Sequence, residues 1–338
     1  MANFIQSYYW APVLSFATTS VAILLLLNNK LLLIALDRPN PRSLHSAPVP
    51  RTGGLGLMLG ISVASIFLGL PRPLWIGLPR PLWIGLGILI VVSVADDIYN
   101  IPAVWRLLAH FAAAALAMAY LLFGSFGLPL TLLAIVITAW MINLYNFMDG
   151  SDGLAGGMAV FGFGFYGVTA WISGNEIFSL VNFSIAASAM AFLLFNFHPA
   201  RIFLGDAGSI PLGFLAAALG GMGWIQNNWP VWFPLLVFSP FIMDASVTLV
   251  KRALERKKVW QAHREHYYQR LVQIGWGHRK TAWFEYALML AAGASALWAI
   301  RQDTPLQFAL LVCWGVLYLL AMIIFDRYWA SHQQNAST

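Results

Sequence analysis

The sequence predicts an all-α, polytopic integral membrane protein of about eleven transmembrane helices, with its N-terminus periplasmic and its C-terminus cytoplasmic. Three observations carry that expectation. Of the 338 residues, 60% are hydrophobic and 9% are charged, and the mean hydropathy of +0.72 lies well outside the range of soluble domains. The apolar residues come in repeated runs of spanning length. The basic residues gather in alternate connections between those runs, as they do when one set of loops faces the cytoplasm.

The runs fall at 11–33, 54–70, 82–95, 103–123, 129–147, 154–172, 179–196, 210–226, 231–250, 282–300 and 305–325. The first lacks the basic leader and small-residue cleavage site of a secretory signal, so it reads as a retained span. Gly53-Gly-Leu-Gly-Leu-Met-Leu-Gly60 opens the second; no strand precedes it, which favours close helix packing over a nucleotide loop. Gly162 and Gly167 in the sixth read the same way. The third run is short and can borrow from 74–81. There Leu70-Pro-Arg-Pro-Leu-Trp-Ile-Gly77 recurs unchanged as Leu78-Pro-Arg-Pro-Leu-Trp-Ile-Gly85. Two copies do not make a solenoid, and the prolines and tryptophans suit a lengthened outer loop. The ninth run contains Asp244, the main acid expected at depth. The eleventh holds the single cysteine, Cys313, which excludes a disulfide framework and a CxxC site. Residues 1–338 form one membrane-embedded domain, 251–281 a basic cytoplasmic loop within it, and 326–338 a short polar tail expected to be mobile.

Orientation follows from counting. With the N-terminus outside, sixteen of the nineteen Lys and Arg residues face the cytoplasm, and only Arg72, Arg80 and Arg301 face out. The acids, which played no part in drawing the topology, sort with them: only Glu176 and Asp303 of thirteen fall outside. A carboxylate at mid-bilayer depth costs about 2.5–3.5 kcal/mol on insertion scales, so acids crowding the inner helix ends need a reason. Metal-assisted chemistry at the inner surface supplies one.

Asp96-Asp97 follows the third run directly. Adjacent like charges raise each other's pKa unless a cation intervenes, and a metal, a substrate cation, a proton or Arg106 could relieve them. Asn143, Asn146, Asp149 and Asp152 are spaced by three, a regularity that an ordinary turn does not need. Gly150 and Gly153 let the backbone break and bring the four together, and hard oxygen ligands of this kind suit magnesium, with manganese as the alternative. In Phe203-Leu-Gly-Asp206-Ala-Gly-Ser209 a helix start offers N–H groups to an anion beside Asp206, and Phe203 offers a flat face for a base. The loop 251–281 carries His263-Arg264-Glu265-His266. Zinc is disfavoured because neither HExxH nor a second cysteine is present. A clamp for phosphates or sugar fits better than headgroup attraction alone.

Together these residues resemble the polyprenyl-phosphate N-acetylhexosamine-1-phosphate transferases, the superfamily that includes phospho-MurNAc-pentapeptide translocase. Asp37-Arg-Pro-Asn-Pro-Arg-Ser-Leu-His45 with Pro48-Val-Pro-Arg-Thr-Gly-Gly54 is similar to the family's first cytoplasmic loop. Asp96-Asp97, the 143–154 motif, the 196–209 stretch and the His263–His266 motif follow in the family's order. The resemblance implies transfer of a sugar-1-phosphate from a UDP-N-acetylhexosamine to undecaprenyl phosphate at a bacterial inner membrane, with release of UMP. It implies magnesium on Asp206 with Asn146 and uracil stacked on Phe203. Asn196 and the catalytic candidates Asp149 and Asp152 would lie in the nucleotide pocket, Asn143 would be a further substrate-binding residue, and Asp96 and Asp97, also catalytic candidates, would activate or position the lipid phosphate. His263, Arg264 and His266 would meet the sugar or diphosphate, with Arg42 and His45 as further candidates. A homodimer is an additional expectation, and nothing points to nucleic acid.

Two departures bear on the substrate. The peptidoglycan enzymes have a lysine where this chain has Asn100, and a histidine-rich triplet where it has His-Arg-Glu-His. Both argue against a MurNAc-pentapeptide donor and towards UDP-GlcNAc or a deoxy relative such as UDP-FucNAc, as used to start O-antigen and related glycans. The rival reading is an ion- or proton-coupled transporter, which predicts acids at bilayer mid-depth and broken helices in mirrored halves.

Overall fold

The computed structural model describes residues 8–28, 36–37, 48–69, 78–259, 261 and 263–337. These form twelve α-helices, one short π-helical turn and a two-stranded ribbon. The helices are α1 (Ala11–Asn28), α2 (Gly53–Gly69), α3 (Arg80–Tyr99), α4 (Ala103–Phe147), α5 (Leu154–Ile172), α6 (Glu176–Asn196), α7 (Asp206–Ile225), α8 (Trp232–Val237), α9 (Ser239–Leu254), α10 (Tyr267–Leu271), α11 (Gly277–Ala299) and α12 (Thr304–Ser337). Six of them are long and apolar enough to cross a membrane. The chain is therefore a mostly helical, multi-pass membrane protein.

Among the described residues, the apolar stretches read from the sequence fall on helix, with two joined and one split. The 45-residue α4 bends at Gly127, whose φ of 72° leaves the helical region just before Pro129; its halves hold the fourth and fifth stretches. The ninth stretch breaks at Phe238, between α8 and α9.

Inside the bundle α1 packs on α2 and α6, α5 on α6, and α7 on α3 and α4. Small residues permit close approach of α2 to both α7 and α1. A Cβ on Gly54 would lie 2.3 Å from the Gly208 backbone nitrogen, and one on Gly60 would lie 2.0 Å from Thr19 Oγ1. The glycine run of α2 is thus a packing surface, as its setting implied.

Three expectations are corrected. A ribbon interrupts the all-α pattern: β1 (Leu36–Asp37) pairs antiparallel with β2 (Val49–Pro50). The second copy of the octapeptide does not lengthen a loop. From Arg80 it is the first turn of α3, with Leu78 and Leu82 buried, because proline is well accommodated where the helical N–H has no partner anyway. The first copy, 70–77, lies outside the described residues. The tail after Asp326 is helical to Ser337, since Asp326 is held by Lys251, Arg270 and Tyr267.

Candidate active site

The site is built where β2, α2 and α7 are stitched together. Phe203 N–H donates to Pro50 O at 2.7 Å, Gly53 N–H to Phe203 O at 2.9 Å, and Gly54 N–H to Leu204 O at 2.8 Å. Gly205 then takes a φ of 69°, and a Cβ there would lie 2.4 Å from Arg51 O, so glycine is required. That turn starts α7 at Asp206 and sets its carboxylate beside the C-terminal turn of α4.

Asn146 Nδ2 donates to Asp206 Oδ1 at 2.9 Å and to Ser209 Oγ at 3.0 Å. Asp149 accepts from Gly205 N–H, and burial, reinforced by the Asp206 charge, raises its pKa well above the carboxylate range. Arg106 Nη1 lies 2.8 Å from Asp96 Oδ2 and 3.6 Å from Asp206 Oδ2. Asp97 meets Arg51 Nη2 only at 3.9 Å. Burial and the charges of Asp206, Asp96 and Asp37 outweigh Arg51 and push its pKa up to about 6. The carboxylates of α3, the 148–153 turn and α7 thus meet at one point.

The other motif residues divide. Asp152 turns away from this point: its Oδ2 accepts from Ala200 N–H at 3.1 Å and lies 2.7 Å from His198 Nδ1. His278 stacks on His198 with ring centroids 5.3 Å apart, and its Nδ1 lies 2.8 Å from Ser151 Oγ. Asn196 is buried, with Oδ1 accepting from Gly153 N–H and Nδ2 donating to Ile202 O, both at 2.9 Å. Asn143 donates back to Ala139 O at 2.7 Å within α4. Asp152 and Asn196 fix the backbone around the site; the four residues of the 143–152 series do not share one set of partners, because Asp152 is held by His198 and Ala200 and Asn143 by its own helix. Phe203 is partly exposed beside Gly205. Arg42 and His45 lie outside the described residues.

The loop motif closes the other flank. His266 stacks on Phe147 at 6.2 Å and lies 4.8 Å from the His263 ring, centroid to centroid, while Tyr268 Oη donates to Phe147 O at 3.0 Å. Asp244 holds this arrangement: its Oδ1 and Oδ2 accept from the N–H groups of Tyr267 and Tyr268, each at 2.9 Å. Burial and the nearby His266 and Arg252 lower the His263 pKa to about 4, so its imidazole is neutral at neutral pH. Arg264 is exposed.

Sequence reasoning missed the roles of Arg51, Asp244, His198 and His278. Only Asp244 had announced itself, as an acid within an apolar run.

No three His, Cys, Asp or Glu side chains among the described residues form a ready-made metal cage. The donor set nevertheless fits magnesium, which binds through one or two carboxylates and fills its octahedron with water and phosphate. Asp206 offers such a carboxylate, and a divalent cation there would offset the crowding of acids that raises the proton affinity of Asp97 and Asp149.

The model of glycosyl transferase family 4 matches residues 80–223, the segment that carries Asp96, Asp149 and Asp206. A Bacillus subtilis (strain 168) protein named "Probable undecaprenyl-phosphate N-acetylglucosaminyl 1-phosphate transferase" is 27% identical over 280 residues, covering 78% of this chain and 76% of the relative. A Yersinia pestis undecaprenyl-phosphate alpha-N-acetylglucosaminyl 1-phosphate transferase is 26% identical over 315 residues, covering 86% and 82%. A phospho-N-acetylmuramoyl-pentapeptide-transferase of Staphylococcus saprophyticus is 28% identical over 180 residues, covering 52% and 55%.

Proposed function

We propose that this chain, which matches the model of glycosyl transferase family 4 over residues 80–223, transfers an N-acetylhexosamine-1-phosphate from a UDP-sugar to undecaprenyl phosphate and releases UMP. The observation that carries this is the meeting of Asp96, Arg106, Asp206 and Asn146 at the adjoining ends of α3, α4 and α7. A site of hard oxygen donors with a guanidinium among them suits two phosphorylated substrates, and its place at helix ends suits a lipid acceptor.

In the reaction a phosphate oxygen of the acceptor attacks the sugar-bearing phosphorus of the donor. The bond from that phosphorus to the bridging oxygen breaks, and UMP leaves with the bridging oxygen. Asp206 and Asn146 would hold magnesium; when bound, the ion offsets charge on the diphosphate and on the departing UMP. Arg106 keeps Asp96 and Asp206 together at the reacting end. Asp97, with its raised proton affinity, takes the proton of a monoprotonated acceptor phosphate. Phe203 offers its ring to uracil. His263 and His266, the latter fixed by Asp244, face the sugar side, where a neutral His263 can both donate and accept hydrogen bonds.

Asn100 and the His-Arg-Glu-His loop support UDP-GlcNAc or a deoxy relative as donor, for the first step of O-antigen or a related surface glycan. The excess of basic residues in the connections assigned to one side supports eleven spans with the site facing the cytoplasm of a bacterial inner membrane. The coupled-transporter reading has no observation in its favour: Asp244, the acid that suggested it, is occupied in capping α10.

The test is UMP release by detergent-purified protein given undecaprenyl phosphate, magnesium and a panel of UDP-sugars. UMP that requires both lipid and metal, and is lost in Asp206→Asn, supports the transferase. Folded protein that releases none with any donor overturns it.

A further inference from the structure

Among the described residues, the acids of this site outnumber the cations facing them. Asp96, Asp97, Asp149 and Asp206 converge, and among the described residues the basic side chains paired with them are Arg51 and Arg106. A phosphomonoester cannot approach Asp96, Asp97 and Asp206 without a receiving cation besides the metal proposed on Asp206.

Both guanidiniums have unused capacity. Each carries five N–H donors in a fixed fork. Arg106 spends one on Asp96 at 2.8 Å, and its 3.6 Å approach to Asp206 is beyond hydrogen-bond length. Arg51 approaches Asp97 only to 3.9 Å. The Nε of each is buried without a hydrogen-bond partner, while 38% of the Arg51 side chain and 35% of that of Arg106 remain exposed. Two adjacent acids on α3 therefore orient two forks, one arriving from the β2–α2 junction and the other from α4.

We infer that Arg51 and Arg106 together form the receiving fork for the terminal phosphate of the polyprenyl acceptor, with Asp97 and Asp96 orienting them. This rests on the transferase reading above. The donor diphosphate has the same chemistry, but it already shares the metal at Asp206. An apolar groove of about 540 Å³ runs between α1 and α2, lined by Leu25, Leu26, Leu55 and Leu59, the last two on the helix that follows Arg51 in the chain. A prenyl chain would follow that surface; a nucleotide would not.

The experiment varies undecaprenyl phosphate and the UDP-sugar separately for wild type, Arg51→Gln, Arg106→Gln and the two Lys variants. The expected result is a rise of at least about tenfold in KM for undecaprenyl phosphate in each Gln variant. KM for UDP-GlcNAc, or for whichever panel donor is turned over, should change less than twofold. The Lys variants should recover only part, because an ammonium keeps the charge and loses the fork. A rise in the donor KM instead, or no change in either, overturns the fork. Where a Gln variant does not turn over at all, the thermal shift given by each ligand decides. Loss of the undecaprenyl phosphate shift with retention of the donor shift supports the fork, and retention of both overturns it. A wild type inactive with every donor sinks the transferase reading itself; an active wild type with unaffected variants sinks only the fork.

Discussion

His266 Nδ1 lies 3.2 Å from Asp244 Oδ1, and both side chains are buried, although 22 residues separate them. The same carboxylate accepts the first two N–H groups of α10, which would otherwise be unsatisfied donors at a helix start. One side chain inside the bundle thus fixes both the loop backbone and the imidazole proposed to meet the sugar.

Asp244→Asn should therefore damage the loop before the fold. The amide keeps one acceptor oxygen of two, so the expected stability loss is about 1–3 kcal/mol. The donor KM should rise roughly tenfold, in line with about 1.4 kcal/mol of lost positioning, while the acceptor KM stays near wild type. Separate donor and acceptor titrations check this; equal changes in both would show that Asp244 only supports the bundle.

Asp206 should govern metal dependence. It is the carboxylate shared by Asn146 and Arg106, so Asp206→Asn removes the charge on which the proposed magnesium depends. Turnover should fall at least about a hundredfold, and the residual rate should lose its response to added magnesium. Asn146→Ala should instead raise the magnesium concentration needed for half-maximal rate and leave a measurable kcat.

Asp97 predicts the acid limb of the pH profile. Its pKa is pushed up to about 6, so it is ionised above that pH and protonated below. If it accepts the proton of the acceptor phosphate, kcat/KM should fall as pH drops through about 6. The lipid phosphate titrates nearby, with a second pKa of about 6, and Arg51→Gln separates the two. Arg51 lowers the Asp97 pKa, so its removal should move an Asp97 limb to higher pH, whereas a limb owned by the lipid would stay in place.

The C-terminal part of α12 braces the same loop. Asp326 Oδ1 accepts from Arg270 Nη1 at 3.0 Å, and Oδ2 accepts from Tyr267 Oη at 3.2 Å, one residue from His266. Asp326 is about a third exposed, so Asp326→Asn should cost about 1 kcal/mol of stability or less. The donor KM should nevertheless rise by about threefold to tenfold, and Asp326→Glu should restore it. An unchanged KM would limit Asp326 to a surface ion pair.

Much of this was legible in the sequence, for identifiable reasons. Long apolar runs fixed the helices because the bilayer imposes a length and forbids unsatisfied backbone. Asn146, Asp149 and Asp206 were visible because acids and amides beside a membrane are costly without a use. The direction of Asp152 was not visible, because it depends on the 148–153 turn, where Gly153 adopts a φ of 78°, and on His198 and His278, far away in sequence. Arg51 was hidden for a similar reason. Its neighbours come from the chain at 203–205, and no periodicity in 48–54 reports that pairing. The helical end of α12 escaped notice because its polar composition matches a free tail, whereas its order comes from tertiary partners.

The tandem octapeptide permits a deletion whose outcome follows from sequence identity alone. Residues 70–77 and 78–85 are the same, so removing either copy gives one and the same chain, with Leu-Pro-Arg-Pro-Leu-Trp-Ile-Gly still directly before Leu86. The first turn of α3 needs what a single copy supplies. Pro81 sits within that turn, Leu78 and Leu82 are buried, and Gly85 is where a Cβ would come within 3.0 Å of the Phe214 ring. All four features survive the deletion. The site residues on α3, Asp96 and Asp97, lie three helical turns beyond Gly85 at about 3.6 residues per turn, so their register against Arg51 and Arg106 is kept. UMP release and thermal stability should both match wild type. In contrast, Gly85→Leu should lower stability by about 1–3 kcal/mol through overpacking against Phe214 and the Ala113 backbone. An inactive but well-inserted deletion would mean that the extra copy does more than separate α2 from α3.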